Sequence, residues 1–136
     1  IRYYKLEDNV HFINGISNQE LISIYDQSYC LIYPSVYEGF GIPVIESLFR
    51  KKPVITSDVS SLPEAGGTGS ILINPYDVAG LQKAIVQLQD SKLYDQLAIN
   101  GFDYVNERFT ADKTTEALHD YYLKIIGNIN SENNYL

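Results

Sequence analysis

Methionine is absent from this chain, and cysteine occurs once. With Ile1 leading straight into Arg2-Tyr3-Tyr4-Lys5, the missing methionine leads us to expect a piece excised from a longer chain, a processed or trimmed start being the competing explanation. A lone cysteine forms no internal disulfide, and Cys30, set in an apolar run, is expected to be a reduced core residue. Basic residues are scarce: 10 against 17 acidic ones leave a net charge of −7 at pH 7, which argues against a nucleic-acid partner, since that calls for a basic face. No apolar run approaches the length that spans a bilayer, and no signal-peptide pattern leads the chain, so a cytoplasmic location is the default expectation. There is no Asp-x-Asp pair and no His or Cys cluster at metal-ligand spacing, so neither a metal nor a cofactor is expected. His11 and His119 each stand alone and read as structural or surface residues. Repeats and low-complexity tracts are also missing, and 136 residues suit one domain with a useful core.

What the chain does have is a dense crossing from strand to helix, Tyr33-Pro34-Ser35-Val36-Tyr37-Glu38-Gly39-Phe40-Gly41-Ile42-Pro43-Val44-Ile45-Glu46. Before it, Cys30-Leu31-Ile32-Tyr33 is a short β-rich run that Pro34 ends. After it, Pro43 suits the first position of a helix, where its fixed φ fits and its missing N–H costs nothing. Ile42, Ile45, Leu48 and Phe49 recur at helical spacing and predict one face packed on a sheet. A helix start leaves N–H groups without partners and carries the positive end of the macrodipole, so phosphate and sugar oxygens bind well there. Gly39 and Gly41 allow a ligand close to the backbone, and φ > 0 if the turn needs it. Glu38 precedes the helix and Glu46 lies about one turn into it, so the two could bracket a polyhydroxylated ligand by accepting its hydrogen bonds. Taken singly, a Gly-x-Gly is more often a tight turn, and a first-turn glutamate more often a dipole partner.

Alternation of element types organises the rest. Strands are predicted at about Val10–Ile13, Tyr29–Tyr33, Val54–Ser57 and Ser70–Ile73. Helices are predicted near Gln19–Ser28, Pro43–Arg50, Leu62–Ala65, Val78–Gln89, Lys92–Arg108 and Thr110–Ile126. That pattern implies an α/β fold with a Rossmann-like parallel sheet, helices on both faces and ligands outside the carboxyl ends of the strands. Residues 1–127 are expected to form the domain, and the polar residues 128–136 a frayed tail.

The order Glu38-Gly39-Phe40-Gly41-Ile42-Pro43-Val44-Ile45-Glu46, two glutamates with seven residues between them that include Gly-Phe-Gly-x-Pro, resembles the signature of retaining glycosyltransferases of family 4, also called group 1. Lys52-Pro53-Val54-Ile55-Thr56-Ser57 resembles that family's next strand, Ser60-Ser61-Leu62-Pro63-Glu64 its following loop, and Gly66 to Pro75 its Gly-rich turn and strand. Upstream, Val10-His11-Phe12-Ile13-Asn14-Gly15-Ile16-Ser17 is similar to a strand-Gly-x-Ser segment, with Glu20, Leu21 and Tyr25 on the helix after it. The resemblance runs from about residue 5 to 125.

It implies most of the carboxyl-terminal, donor-binding half of a two-domain B-type glycosyltransferase fold. Carried over by motif position, Glu38 is the candidate catalytic residue, in the sense of a donor-sugar contact rather than a settled nucleophile. Glu46 would take the ribose hydroxyls, and the backbone of Gly39, Phe40, Gly41 and Ile42 would face the sugar and diphosphate. Ser35 and Tyr37 are further candidates as neighbours of the sugar, and Ile16, with the segment from Ile13, as a neighbour of the base. The implied partners are a nucleoside-diphosphate sugar and, through an amino-terminal domain with no counterpart here, a glycan or lipid acceptor. The strand that normally brings an Arg and a Lys to the diphosphate also has no counterpart, so the isolated chain is expected to be inactive and to bind donor weakly. Family members usually carry Gly where Lys51 stands, and a left-handed lysine there would cost on the order of 1 kcal/mol. Arg50-Lys51-Lys52 reads first as a helix-end charge complement and second as a peripheral contact with an anionic membrane at its inner face. A non-catalytic protein-binding domain that keeps the fold is the alternative reading. A nucleotide-sugar epimerase or phosphorylase is a further one, disfavoured by the Gly-Phe-Gly-x-Pro motif.

Overall fold

The computed structural model describes residues 1–132. Its centre is a parallel sheet of three strands, β1 (Leu31–Tyr33), β2 (Val54–Ser57) and β3 (Ser70–Ile73), in the order β1-β2-β3. Leu31 pairs with Val54 and Tyr33 with Thr56, while Val54 pairs with Ser70 and Ser57 with Ile73. Each crossover carries a helix: α1 (Asn18–Gln27) leads into β1, α2 (Ile42–Phe49) joins β1 to β2, and the short α3 (Leu62–Gly66) lies between β2 and β3. Then come α4 (Val78–Gln87), α5 (Ser91–Arg108) and α6 (Ala111–Glu132).

All four residues of β2 are buried, as expected of the central strand of a sheet covered on both sides. Side chains alternate across it. Val54 joins Val44, Ile45 and Leu48 of α2, Leu62 and Ala65 of α3, and Val105 of α5. Ile55 joins Ile73 with Ala84, Leu88 and Leu97 on the opposite face. The expected α/β architecture with helices on both faces is therefore what forms.

Local signals explain the helix ends. Ser17 accepts from Glu20 N while Glu20 Oε2 accepts from Ser17 N at 2.8 Å, a reciprocal cap that starts α1. Asp77 and Asp90 cap α4 and α5 through their side chains. Gly69 and Gly101 lie where α5 crosses the turn before β3, so close that a Cβ on Gly101 would stand 2.9 Å from the Gly69 Cα. Past the end of α2, Lys51 adopts φ 56, the left-handed conformation in which a glycine would be unstrained. Arg50 pairs with Asp26 of α1, its Nε 2.6 Å from Asp26 Oδ1, and Lys51 Nζ sits 4.6 Å from the Phe102 ring centroid. Two charges of the basic run thus have partners within the domain. His11 and His119 are both exposed.

Two expectations need correction. Val10–Ile13 is not a strand: the segment is irregular, with Phe12 80% exposed and Ile13 56% exposed. Its apolar pattern suits a strand, but a strand needs a neighbour's ladder of hydrogen bonds, and none of the three described strands pairs with it. Helix α6 also runs past its expected end at Ile126 to Glu132, into the stretch read as a frayed tail; residues 133–136 of that stretch lie outside the described residues. Among the described residues, no helix is long and apolar enough to cross a membrane.

Candidate glycosyl donor site

The strand-to-helix crossing forms at the carboxyl end of β1. Gly41 takes φ 98 as the residue before α2, and an added Cβ would lie 2.8 Å from Leu62 Cδ2 and 3.3 Å from Ala65 Cβ. It is thus required both for the turn and for α2 to lie against α3. Gly39 differs, since a Cβ there would meet nothing within 4 Å. Helix α2 starts at Ile42, one residue earlier than expected, which moves Pro43 to its second position. Pro43 brings no N–H, and Val44 N donates to Gly41 O at 3.0 Å, which leaves the amide of Ile42 free of an intrahelical partner at the helix start.

Both glutamates are half-buried, and each is held by a tyrosine from another element. Tyr33, the last residue of β1, donates its phenol to Glu38 Oε1 at 2.6 Å. Tyr25, on the buried side of α1, donates to Glu46 Oε2 at 3.1 Å and also reaches Pro43 O at 3.4 Å. Burial, then the Glu46 carboxylate, pushes the Tyr25 phenol up to about 12. The bond to Glu38 pushes Tyr33 up as well. Both phenols remain neutral donors at physiological pH.

The backbone of the loop is pinned independently. Ser60 and Ser61, in the turn after β2, donate their hydroxyls to Glu38 O at 2.8 and 3.1 Å. Phe40 stands edge-on to Phe109 with ring centroids 5.5 Å apart, and Phe109 in turn meets Tyr104 at 5.8 Å, so the loop leans on the α5–α6 junction. Tyr25 and Glu46 line a groove of about 360 Å³ between α1 and α2, with Asn18, Leu21, Phe49 and Arg50.

The structure brings Glu38, Gly39, Phe40, Gly41, Ile42 and Glu46 together around one helix start. Ser35 sits at the same strand end, but its hydroxyl closes a turn onto Tyr37 O at 3.2 Å. Tyr37 is 79% exposed. Ile16 is half-buried on the lead-in to α1, and no hydrogen bond among the described residues joins it to the loop. The roles of Tyr25, Tyr33, Ser60 and Ser61 toward the two glutamates had not been read from the sequence. A signal existed for Tyr25, since a tyrosine on the buried face of a helix must find a partner for its hydroxyl. Tyr33 looked only like a strand residue.

A sequence profile of the family described as Glycosyl transferases group 1 matches residues 1–104. The chain belongs to the group 1 glycosyl transferases. Among group 1 relatives, the O-antigen chain mannosyltransferase RfbU of Salmonella typhimurium is 35% identical over 117 residues, 86% of this chain and 32% of the relative. The O-antigen chain mannosyltransferase B of Escherichia coli is 30% identical over 115 residues, 84% of this chain and 30% of the relative. The chain therefore spans about a third of the length of these curated relatives. In structure, the sucrose-phosphate synthase of Thermosynechococcus elongatus superposes with a TM-score of 0.79 at 28% identity, over 93% of this chain and 33% of that one. TarM, at 20% identity and a TM-score of 0.69 over 90% of this chain and 25% of that one, shares the fold.

Proposed function

We propose that this chain is the nucleotide-sugar-binding, carboxyl-terminal part of a family 4 retaining glycosyltransferase, which moves a sugar from a nucleoside diphosphate to an acceptor in polysaccharide or glycolipid synthesis. The observation that carries this reading is the pair Glu38 and Glu46, each fixed by a phenol, on either side of a helix start at the carboxyl end of a parallel sheet. Mannosyl transfer is the first reaction to try, because two relatives at 35% and 30% identity are named mannosyltransferases.

In this reading Glu38 accepts hydrogen bonds from the donor sugar and Glu46 from the ribose. The amides of Phe40, Gly41 and Ile42 face the sugar and the diphosphate, and Gly39 leaves room for the sugar's approach. Retaining transfer needs the leaving diphosphate stabilised and the acceptor hydroxyl held near the anomeric carbon, so positioning and preorganised dipoles carry the step. The positive end of α2 contributes to the first requirement. The second, with the cations that neutralise the diphosphate, is assigned to residues of a longer protein, and the acceptor, a glycan or lipid, binds there. No metal or cofactor is given a role; activity lost in a chelator and restored by a divalent ion would overturn that part. The protein is placed in the cytoplasm, with at most peripheral contact at the inner face of the membrane.

Glu46→Ala in the full gene product, assayed for donor KM and kcat with a panel of nucleotide sugars, tests the site. A raised donor KM is expected. Unchanged KM and kcat would remove Glu46 from the proposal.

A further inference from the structure

The two phenol-carboxylate pairs differ in what anchors them. Tyr33 is held by the sheet: it pairs with Thr56 across the ladder, and its carbonyl accepts from Thr56 Oγ1 at 2.9 Å. Tyr25 is held by the helices, 9% exposed within α1 and reaching both Glu46 and the Pro43 carbonyl in the first turn of α2. Each phenol occupies one oxygen of its glutamate, Oε1 of Glu38 and Oε2 of Glu46. A carboxylate has two oxygens, so the second is the one presented, and a side chain with three rotatable bonds is held in one orientation. Hydrogen bonds fixed in advance by separate rigid elements reduce the ordering that a ligand must otherwise impose.

We propose that Tyr33 and Tyr25 are positioning residues for separate parts of the donor, Tyr33 acting through Glu38 on the transferred sugar and Tyr25 acting through Glu46 on the ribose. The assignment rests on the donor-site reading above and adds a division of labour to it. A nucleoside diphosphate contains the ribose and lacks the sugar, so loss of the Tyr25 bond weakens nucleotide and nucleotide sugar alike. Loss of the Tyr33 bond weakens only the nucleotide sugar. General loosening of the loop would produce no such split.

The test is calorimetric titration of the full gene product with GDP-mannose and with GDP, and with UDP-glucose and UDP as a second pair. Wild type is compared with Tyr33→Phe, Tyr25→Phe, Glu38→Gln, Glu46→Ala and the Tyr33→Phe/Glu38→Gln double variant. Tyr33→Phe is expected to weaken nucleotide-sugar binding about tenfold and to leave nucleoside diphosphate within about twofold, the size set by one hydrogen bond to a charged group. Added to Glu38→Gln, it should cost less than it does in the wild type, because a neutral amide oxygen accepts the phenol more weakly than the carboxylate does. Tyr25→Phe is expected to weaken both ligands by one common factor, about fivefold. Equal weakening of both ligands by Tyr33→Phe, a Tyr33→Phe loss that multiplies with that of Glu38→Gln, or no change in either tyrosine variant overturns the assignment. If Tyr33→Phe does not fold, Tyr33→Leu is read by the same criterion. Failure of the donor-site reading itself looks different: Glu38→Gln and Glu46→Ala would then bind both ligands as wild type does.

Discussion

Alanine at position 41 probes whether the loop between β1 and α2 is held by backbone conformation or only by its side-chain bonds. Gly41 has φ 98, where an L residue is strained by roughly 1–2 kcal/mol. The new methyl would also stand 2.8 Å from Leu62 Cδ2 and 3.3 Å from Ala65 Cβ. Leu62 is fully buried among Val44, Leu48 and Val105, so it has no open side to turn toward, and overpacking of this kind adds about 1 kcal/mol or more. Gly41→Ala is therefore expected to lose about 2–3 kcal/mol, a substantial part of the stability of an ordinary domain. For a chain of this size the loss corresponds to a fall of roughly 10 °C in Tm. Gly39→Ala is the control, since its methyl would meet nothing within 4 Å and its φ is not in the left-handed region. It is expected to stay within about 0.5 kcal/mol of wild type. Urea unfolding followed by far-UV circular dichroism measures both. Equal midpoints for the two variants would refute the reasoning.

Ser57 is fully buried, and its hydroxyl oxygen has no hydrogen-bond partner among the described residues, so Ser57→Ala is expected to leave stability unchanged or raise it by up to about 1 kcal/mol; a loss larger than that in urea titration would mean the hydroxyl has a partner. Tyr25 should introduce a pH dependence in alkali. Unfolded tyrosine ionises near 10 and folded Tyr25 near about 12, so between those values the unfolded state has given up the proton and the folded state has not, and stability falls as pH rises through that window. Unfolding titrations between pH 9 and pH 12 should show a smaller fall for Tyr25→Phe than for wild type, and equal slopes would count against the burial and carboxylate contact that cause the shift.

Strands β1, β2 and β3 and the six helices were legible because their signals are local: a short apolar run, apolar residues at helical spacing, or a boundary such as Pro34 or Pro43. Val10–Ile13 carries the apolar run without a partner strand, and pairing is a property of two segments that no single one contains. The two glutamates were legible for a different reason. They sit in one continuous motif whose spacing places them on either side of a helix start. Their tyrosines were not, because Tyr25 and Glu46 are 21 positions apart and the bond depends on how α1 lies against α2. Tyr33 and Glu38 are 5 apart, close enough to find, but only the course of the loop makes the phenol and carboxylate meet. Ser60 and Ser61 stood in a recognised loop, and their bond to Glu38 O requires β1 and β2 to be side by side. The left-handed Lys51 shows the converse, a departure visible in the sequence whose conformation the backbone then adopts.

The segment that carries Glu38 and Glu46 is also the crossover that allows β1 and β2 to pair in parallel. Tyr33 and Thr56, bonded across that pairing, are separated by 23 positions, and the whole loop with α2 lies between them. A parallel pair needs such a crossover, so β1 and β2 meet only with this loop and α2 connecting them. The candidate site and the first strand pair are thus built from one continuous stretch of chain. If the loop holds the donor as proposed, binding is expected to slow amide exchange in β1 and β2 as well as in the loop itself.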